Sequence, residues 1–256
     1  MRKWNIGYLY LFLLTISTCV SAQVNIEKIR TSSTGSGFSG YTGFDVSHRS
    51  GNVSATEISI ENRADYLWQN MKSFVFVRGD YGWARKKAYS DEALAHARHI
   101  FRIRTGFQPE FFTQIDYNKK KSLDFRGLIC GGIRLAIYRH NESKLWFGTA
   151  FMLEHEQLNL DTTNSHDPEI TVVRWSNYLT TGFDITEQIQ FAFTTYLQPC
   201  VDDFKDIRVL NETNLSTSLI KKLSLSVTFR LNYDSQPPDH IKYLDTSLKT
   251  GLVMKY

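Results

Sequence analysis

The sequence predicts an all-β fold: an antiparallel transmembrane up-and-down β-barrel of about twelve strands, after a cleaved signal peptide. Three observations carry this. Apolar and polar residues alternate with period two over long stretches, which is the strand signature. Several of these stretches exceed the five or six residues of an average strand and reach the roughly ten needed to cross a bilayer at a tilt. The chain also opens on a secretory leader and then offers no apolar run long enough for a membrane helix.

The leader is read at residues 1–22. Arg2 and Lys3 form a basic start, Ile6 to Ile16 an apolar run, and Val20-Ser21-Ala22 a small-residue cleavage pattern before Gln23. A lipidated start at Cys19 is the alternative, and Thr18 before it is a poor match. Residues 23–36 are expected as an N-terminal periplasmic segment, and 37–256 as the barrel. Net charge is +4 over the full chain, and 28 basic face 26 acidic residues after Gln23. That balance is too even to imply a nucleic-acid partner, and none is expected. Cys130 and Cys200 are left beyond the leader; they could pair in an oxidising compartment or remain separate thiols.

The alternation is clearest in Lys222–Tyr233, where Leu223, Leu225, Val227, Phe229 and Leu231 oppose Ser224, Ser226, Thr228 and Arg230. It recurs in Leu123–Ile137, with Phe125, Ile129 and Ile133 against Asp124, Arg126, Cys130 and Arg134, and in Asp184–Leu197. Strands are expected near 37–48, 53–62, 73–83, 94–105, 109–118, 122–138, 144–156, 169–180, 184–198, 206–216, 220–233 and 244–256. Connections then alternate between long outer loops (84–93, 157–168, 199–205, 234–243) and short periplasmic turns (106–108, 141–143, 181–183), with 63–72 as the exception. Tyr41, Tyr81, Trp83, Tyr117, Tyr138, Trp146, Trp175, Tyr178, Tyr196 and Tyr233 lie near strand ends, where interfacial girdles are expected.

Closure follows from chemistry, since lipid satisfies no backbone N–H or C=O and a closed sheet leaves no edge. The inward face is then expected to hold charges of both signs: Arg78, Asp80, Arg98, Arg102, Asp116, Asp124, Arg126, Arg134, Glu154, Arg174, Arg208 and Arg230. Glu57, Glu61, Arg104, Glu110, Glu212, Lys222, Asp245, Lys249 and Lys255 belong with them. Burying so many charges is costly unless they are wet or paired. The interleaved signs favour an occluded or very narrow passage over an open pore. In a soluble periplasmic β-protein the same residues would form a solvated face.

The last strand is read as the membrane-insertion signal. Leu248, Leu252, Met254 and Tyr256 alternate on one face and end on an aromatic residue, which resembles the ending that barrel-assembly machinery reads. The strand must pair with the first one, near Phe38–His48, to close the barrel.

Several segments resemble one family. Arg49-Ser50-Gly51-Asn52 resembles its S-G-N turn, and Phe111-Phe112-Thr113-Gln114 its F-x-Q strand, followed by the stretch Arg126 to Arg134. Tyr233-Asp234-Ser235-Gln236-Pro237-Pro238 and Asp245-Thr246-Ser247-Leu248-Lys249-Thr250-Gly251-Leu252 are similar to its closing motifs. This is the YdiY-like, salt-induced outer-membrane protein family, a domain family of unknown function; Cys130 departs from its usual alanine. The resemblance implies an outer-membrane barrel in a Gram-negative cell and carries over no catalytic residue.

No hydrolase, zinc-protease, nucleotide-loop or dithiol motif is present. Glu154 and Glu156 face opposite to His155 in a strand, so the three do not converge on a metal. Asp161–Asp167 is oxygen-rich enough for Ca²⁺, but reads first as a solvated loop. His155 is a candidate lipid-side base without a spaced serine, and His99 is expected as a second lipid-side histidine. No catalytic residue, metal or cofactor is therefore expected. The leading reading is a structural barrel or a narrow pore for ions and small solutes. Its expected partners are outer-membrane lipids, the barrel-assembly machinery and a small solute. The alternatives are a lipid- or glycan-modifying enzyme and a surface interaction protein acting through its outer loops.

Overall fold

The computed structural model describes residues 36–49, 55–84, 87–140 and 143–256. The expected signal peptide, most of the segment after it and the Ser50-Gly51-Asn52 turn lie outside the described residues. Twelve strands are described: β1 (Gly37–Arg49), β2 (Ala55–Leu67), β3 (Met71–Ala84), β4 (Lys87–Phe101), β5 (Phe107–Asn118), β6 (Leu123–His140), β7 (Ser143–Leu158), β8 (Glu169–Asp184), β9 (Ile189–Pro199), β10 (Ile207–Ile220), β11 (Leu223–Asp234) and β12 (Leu244–Lys255). Each pairs antiparallel with the next, and β12 pairs with β1, so the sheet is a closed barrel. Among the described residues no helix is long and apolar enough to cross a membrane.

The alternation decides which face each side chain takes. Phe44, Val46, Ile60, Val75, Phe111, Ile115, Ile129, Phe151, Leu153 and Leu252 are exposed on the outside, while Glu61, Arg63, Asp80, Arg98, Glu110 and Glu154 are buried inside. This inverts a water-soluble fold. A continuous apolar exterior of this extent is stable only against an apolar medium.

The closing seam is short. Between β1 and β12 the register runs from Tyr41↔Lys255 to Phe44↔Leu252. Gly40 and Tyr256 extend it by exchanging backbone hydrogen bonds at 2.9 and 3.0 Å. Elsewhere the ladders are longer; β1 pairs β2 from Gly37↔Leu67 to Arg49↔Ala55.

The expected loops shift in three places. The connection expected at 63–72 shrinks to 68–70, because Arg63 and Asp65 continue the inward row of β2. Most of the outer loop expected at 84–93 is strand, because β3 runs to Ala84 and β4 begins at Lys87. The turn expected at 181–183 lies within β8, and residues 185–188 turn instead. The 68–70, 102–106, 185–188 and 221–222 connections lie at the end that carries Gly37 and Tyr256. The 119–122, 159–168, 200–206 and 235–243 connections lie at the other end.

Candidate functional site

The lumen holds two kinds of material. Its floor is an apolar plug. Tyr41 on β1, Phe74 and Phe76 on β3, Leu94 and Ile100 on β4, Tyr178 on β8, Tyr196 on β9 and Val253 on β12 form one buried cluster, so strands far apart around the wall meet at its centre. Phe112, Leu128, Cys130, Ala150 and Met152 form a second cluster on β5, β6 and β7. Tyr41, Tyr178 and Tyr196, with Trp146, had been expected in the girdle; all four are buried inside instead. Period two assigns them inward, and inside the barrel their polar atoms can be hydrogen-bonded. Gly148, opposite Tyr178, makes room for this: a Cβ there would lie 2.0 Å from the Tyr178 ring.

Around the plug run ion pairs. Arg98 Nη1 lies 3.3 Å from Glu110 Oε2, and Tyr178 donates its hydroxyl to Glu110 Oε1 at 2.7 Å. The Arg98 guanidinium also sits 4.3 Å over the Phe112 ring, and His96 stacks between Phe74 and Phe112. Arg63 grips Asp65 with two hydrogen bonds of 2.8 Å, and Lys72 adds a third contact at 3.0 Å. Arg134 donates to Gln108 at 2.8 Å and lies 4.2 Å over Trp146. Arg230 reaches Glu212 at 2.7 Å and Glu61 at 3.6 Å.

Nearer the long loops, Arg78 pairs with Asp80 at 3.2 Å. Lys249 from β12 passes β1 to reach Glu57 at 2.9 Å, Ser59 at 2.7 Å and Asp80. Arg126 pairs with Asp116 at 2.8 Å and with Glu156 at 3.5 Å. Arg174 binds Glu154 and Asp206, each at 2.8 Å. Arg208 binds Glu154 and Glu156 at 2.8 Å and Asp234 at 2.9 Å. Asp116, Arg126, Glu154, Glu156, Arg208 and Asp234 wall a vestibule of about 70 Å³, roofed by Pro237, Pro238 and Ile241. It is room for a few waters or a very small solute.

Four residues expected in the lumen are elsewhere. Arg102 is exposed in the turn after β4, because the strand ends at Phe101. Asp124 is exposed because the register slips between Leu123 and Phe125, which turns Leu123 inward and pushes Asp124 out. Arg104 and Lys222 are also exposed turn residues. Conversely, Arg63, Asp65, Glu92, His96 and Glu156 are buried inside and were not singled out as lumen residues. The i, i+2 spacing of Glu57, Glu61, Arg63 and Asp65 was the available signal for two of them.

Cys130 and Cys200 are free and buried. His155 contacts Thr171 at 2.8 Å, Gln157 at 3.5 Å and Glu169 at 3.8 Å. The histidine that meets a serine is His99, whose Nδ1 lies 2.8 Å from Ser73 Oγ; its Nε2 faces Met71 Sδ at 3.3 Å. No carboxylate is among these contacts to orient the ring, as a nucleophile-activating base requires. On β12, Leu248, Leu252, Met254 and Tyr256 are all exposed on the outer face, and Tyr256 Oη accepts from Asn62 Nδ2 at 3.0 Å.

A family described as "Protein of unknown function, DUF481" matches residues 41–256, from the middle of β1 to the end of the chain. The chain belongs to the DUF481 family. No curated protein matches it. Among solved structures, the translocator domain of autotransporter NalP from Neisseria meningitidis is similar at 10% identity and a TM-score of 0.49, over 88% of this chain and 90% of that one. The NanC porin is similar at 10% identity and a TM-score of 0.49, over 86% and 100%. The KdgM porin follows at 9% identity and a TM-score of 0.41, over 86% and 99%. Likenesses this distant carry no inference about what the DUF481 chain does.

Proposed function

We propose that this DUF481 protein, YdiY-like in its turn and closing motifs, sits in the outer membrane of a Gram-negative cell. There it acts as a barrel that is shut at rest, structural in role and passing at most ions or very small solutes. The observation that supports this reading is the buried cluster joining Tyr41, Phe74, Tyr178 and Tyr196 across the lumen. An open pore needs a continuous aqueous path, and the charged groups described beside this cluster, Arg98 with Glu110 and Arg63 with Asp65, are paired around it. The long loops face outwards, the termini face the periplasm, and Leu248, Leu252, Met254 and Tyr256 serve assembly. Outer-membrane lipids and the assembly machinery are the partners this reading supplies, and the vestibule is where a small solute would first lodge.

Planar-bilayer recording on the full chain tests this. Wild type is expected to give no regular conductance steps over a range of salt, whereas Tyr178→Ala with Tyr196→Ala opens the floor and gives them. Large, constitutive steps from wild type would overturn the closed reading.

A further inference from the structure

The charges that line the vestibule are not equally engaged. Asp116 pairs with Arg126, and Glu154, Glu156 and Asp234 all pair with Arg208, at 2.8–2.9 Å. Arg126 reaches Glu156 as well, so both guanidiniums are held by more than one carboxylate. The remaining lining carboxylate, Asp245, has a looser partner: Lys121 Nζ stands 3.6 Å from its Oδ2, and both side chains are about a quarter exposed. Lys120 and Lys242 also act on Asp245 through space. Lys242 lines the vestibule from the 235–243 loop, is exposed, and has no carboxylate in ion-pair reach among the described residues. An ammonium carries three N–H donors. The unengaged charge in this chamber is therefore positive.

Lys121 is held in place by its own turn. It ends the 119–121 segment between β5 and β6, where Asn118 Oδ1 accepts the Lys121 backbone N–H at 3.3 Å and Ser122 O accepts from Asn159 at 2.7 Å. Asp245 lies at the start of β12, and the β5–β6 turn and β12 stand on opposite sides of the closed sheet. The Lys121–Asp245 pair thus spans the mouth. The chamber also has an apolar lining, with Leu123, Leu158 and Leu210 on its walls and Pro237, Pro238 and Ile241 in its roof.

We propose that the vestibule binds a short-chain monocarboxylate, its carboxylate held by Lys121 and Lys242 and its alkyl chain lying against the leucines and the proline roof. Asp245 is the built-in competitor: it occupies Lys121 until the guest's carboxylate displaces it. Size and lining select the class. A space of about 70 Å³ suits a handful of heavy atoms, and an apolar pocket with a few placed polar groups is the usual form of a small-molecule site. An inorganic anion would leave the apolar lining unused. A cation would meet carboxylates already bound to arginine. The inference names the solute class for the vestibule of the closed barrel, and it rests on that reading.

Calorimetric titration of sodium butyrate into the full chain, refolded in an uncharged detergent, tests it. Wild type is expected to bind butyrate, while butylammonium and inorganic phosphate give no heat beyond dilution. Lys121→Met with Lys242→Met weakens butyrate binding by about tenfold or more, since charge-assisted hydrogen bonds to the carboxylate are lost. Asp245→Asn strengthens it about threefold, because a part-exposed ion pair no longer has to be broken. A merely structural role for these residues would weaken binding in both variants. Lys222→Met, in the turn at the opposite end of the barrel, leaves binding unchanged. The proposal is overturned by absence of binding to wild type, by butylammonium or phosphate binding as tightly as butyrate, by undiminished binding to the folded lysine variant, or by no gain in Asp245→Asn. Conductance steps from wild type would overturn the closed barrel and leave this titration as it stands, so the two readings fail separately.

Discussion

Tyr178 of β8 and Glu110 of β5 meet across the lumen, hydroxyl to carboxylate at 2.7 Å. The same carboxylate takes Arg98 of β4, so one acidic group ties three strands, two on one wall and one on another. Tyr178→Phe leaves Glu110 short of a donor while keeping the ring in the plug. A buried acceptor left without its partner costs about 1–3 kcal/mol. The loss is expected as a lower urea midpoint for the refolded barrel in vesicles. An unchanged midpoint would mean that the cross-lumen bond contributes nothing. Gly148→Ala should resemble or exceed this effect, because the added methyl displaces the Tyr178 ring.

The Arg98–Glu110 pair sits where neither side chain meets solvent. Removing one member strands a buried charge, at about 3–5 kcal/mol, while replacing both with apolar residues of similar size is often neutral. Arg98→Met alone is therefore expected to be far more destabilising than Arg98→Met with Glu110→Leu. If the double variant unfolds as early as the single one, the pair matters for more than charge balance.

The strands were legible because lipid outside and charge inside impose period two on nearly every segment. Leu223 to Tyr233 shows it without interruption, and β11 runs from Leu223 to Asp234. Reading failed where one residue type serves two environments. Tyr41, Tyr178 and Tyr196 near strand ends suit an interfacial girdle as well as a plug, and only their parity separates the two. Asp124 failed because a single slip of register changes the face of everything before it. Arg63 and Asp65 looked like a loop because charge clusters usually mark one; here each is the other's partner.

The seam between β1 and β12 rests on few ladder pairs, and Lys249 bridges it from inside to Glu57 and Asp80. Phe44 and Leu252 face each other across it, both exposed on the outer side. Phe44→Cys with Leu252→Cys is expected to form a disulfide on oxidation, since paired strand positions bring Cα atoms to about 4.5–5.5 Å. The cross-linked chain should run differently from the reduced one after boiling. Lys249→Met should lower the folded fraction in the uncross-linked chain and much less in the cross-linked one. Failure to cross-link in folded barrels would contradict closure at this register.

The 235–243 loop is tied to both neighbouring loops by carboxylates. Asp239 accepts from the Ser165 backbone N–H at 2.7 Å and from its hydroxyl at 3.0 Å, and Asp203 accepts from Gln236 at 3.1 Å. The Ser165 N–H, then its hydroxyl, hold the Asp239 carboxyl below its usual range, and the Lys205 N–H and Gln236 do the same for Asp203. A carboxyl whose pKa is depressed in the folded state stabilises that state above its unfolded pKa, about 3.9 for Asp, and loses this as pH falls through the folded value. Both ties should thus be intact at neutral pH and released only in acid, below the ordinary carboxylate range. The Ser165 amide proton shift, followed as the pH is lowered, should titrate below that range in wild type and stay flat in Asp239→Asn. A wild-type midpoint at the ordinary value would mean that Ser165 does not hold the carboxylate. Because the 235–243 loop carries Pro237, Pro238 and Ile241 over the vestibule, acid should loosen the roof.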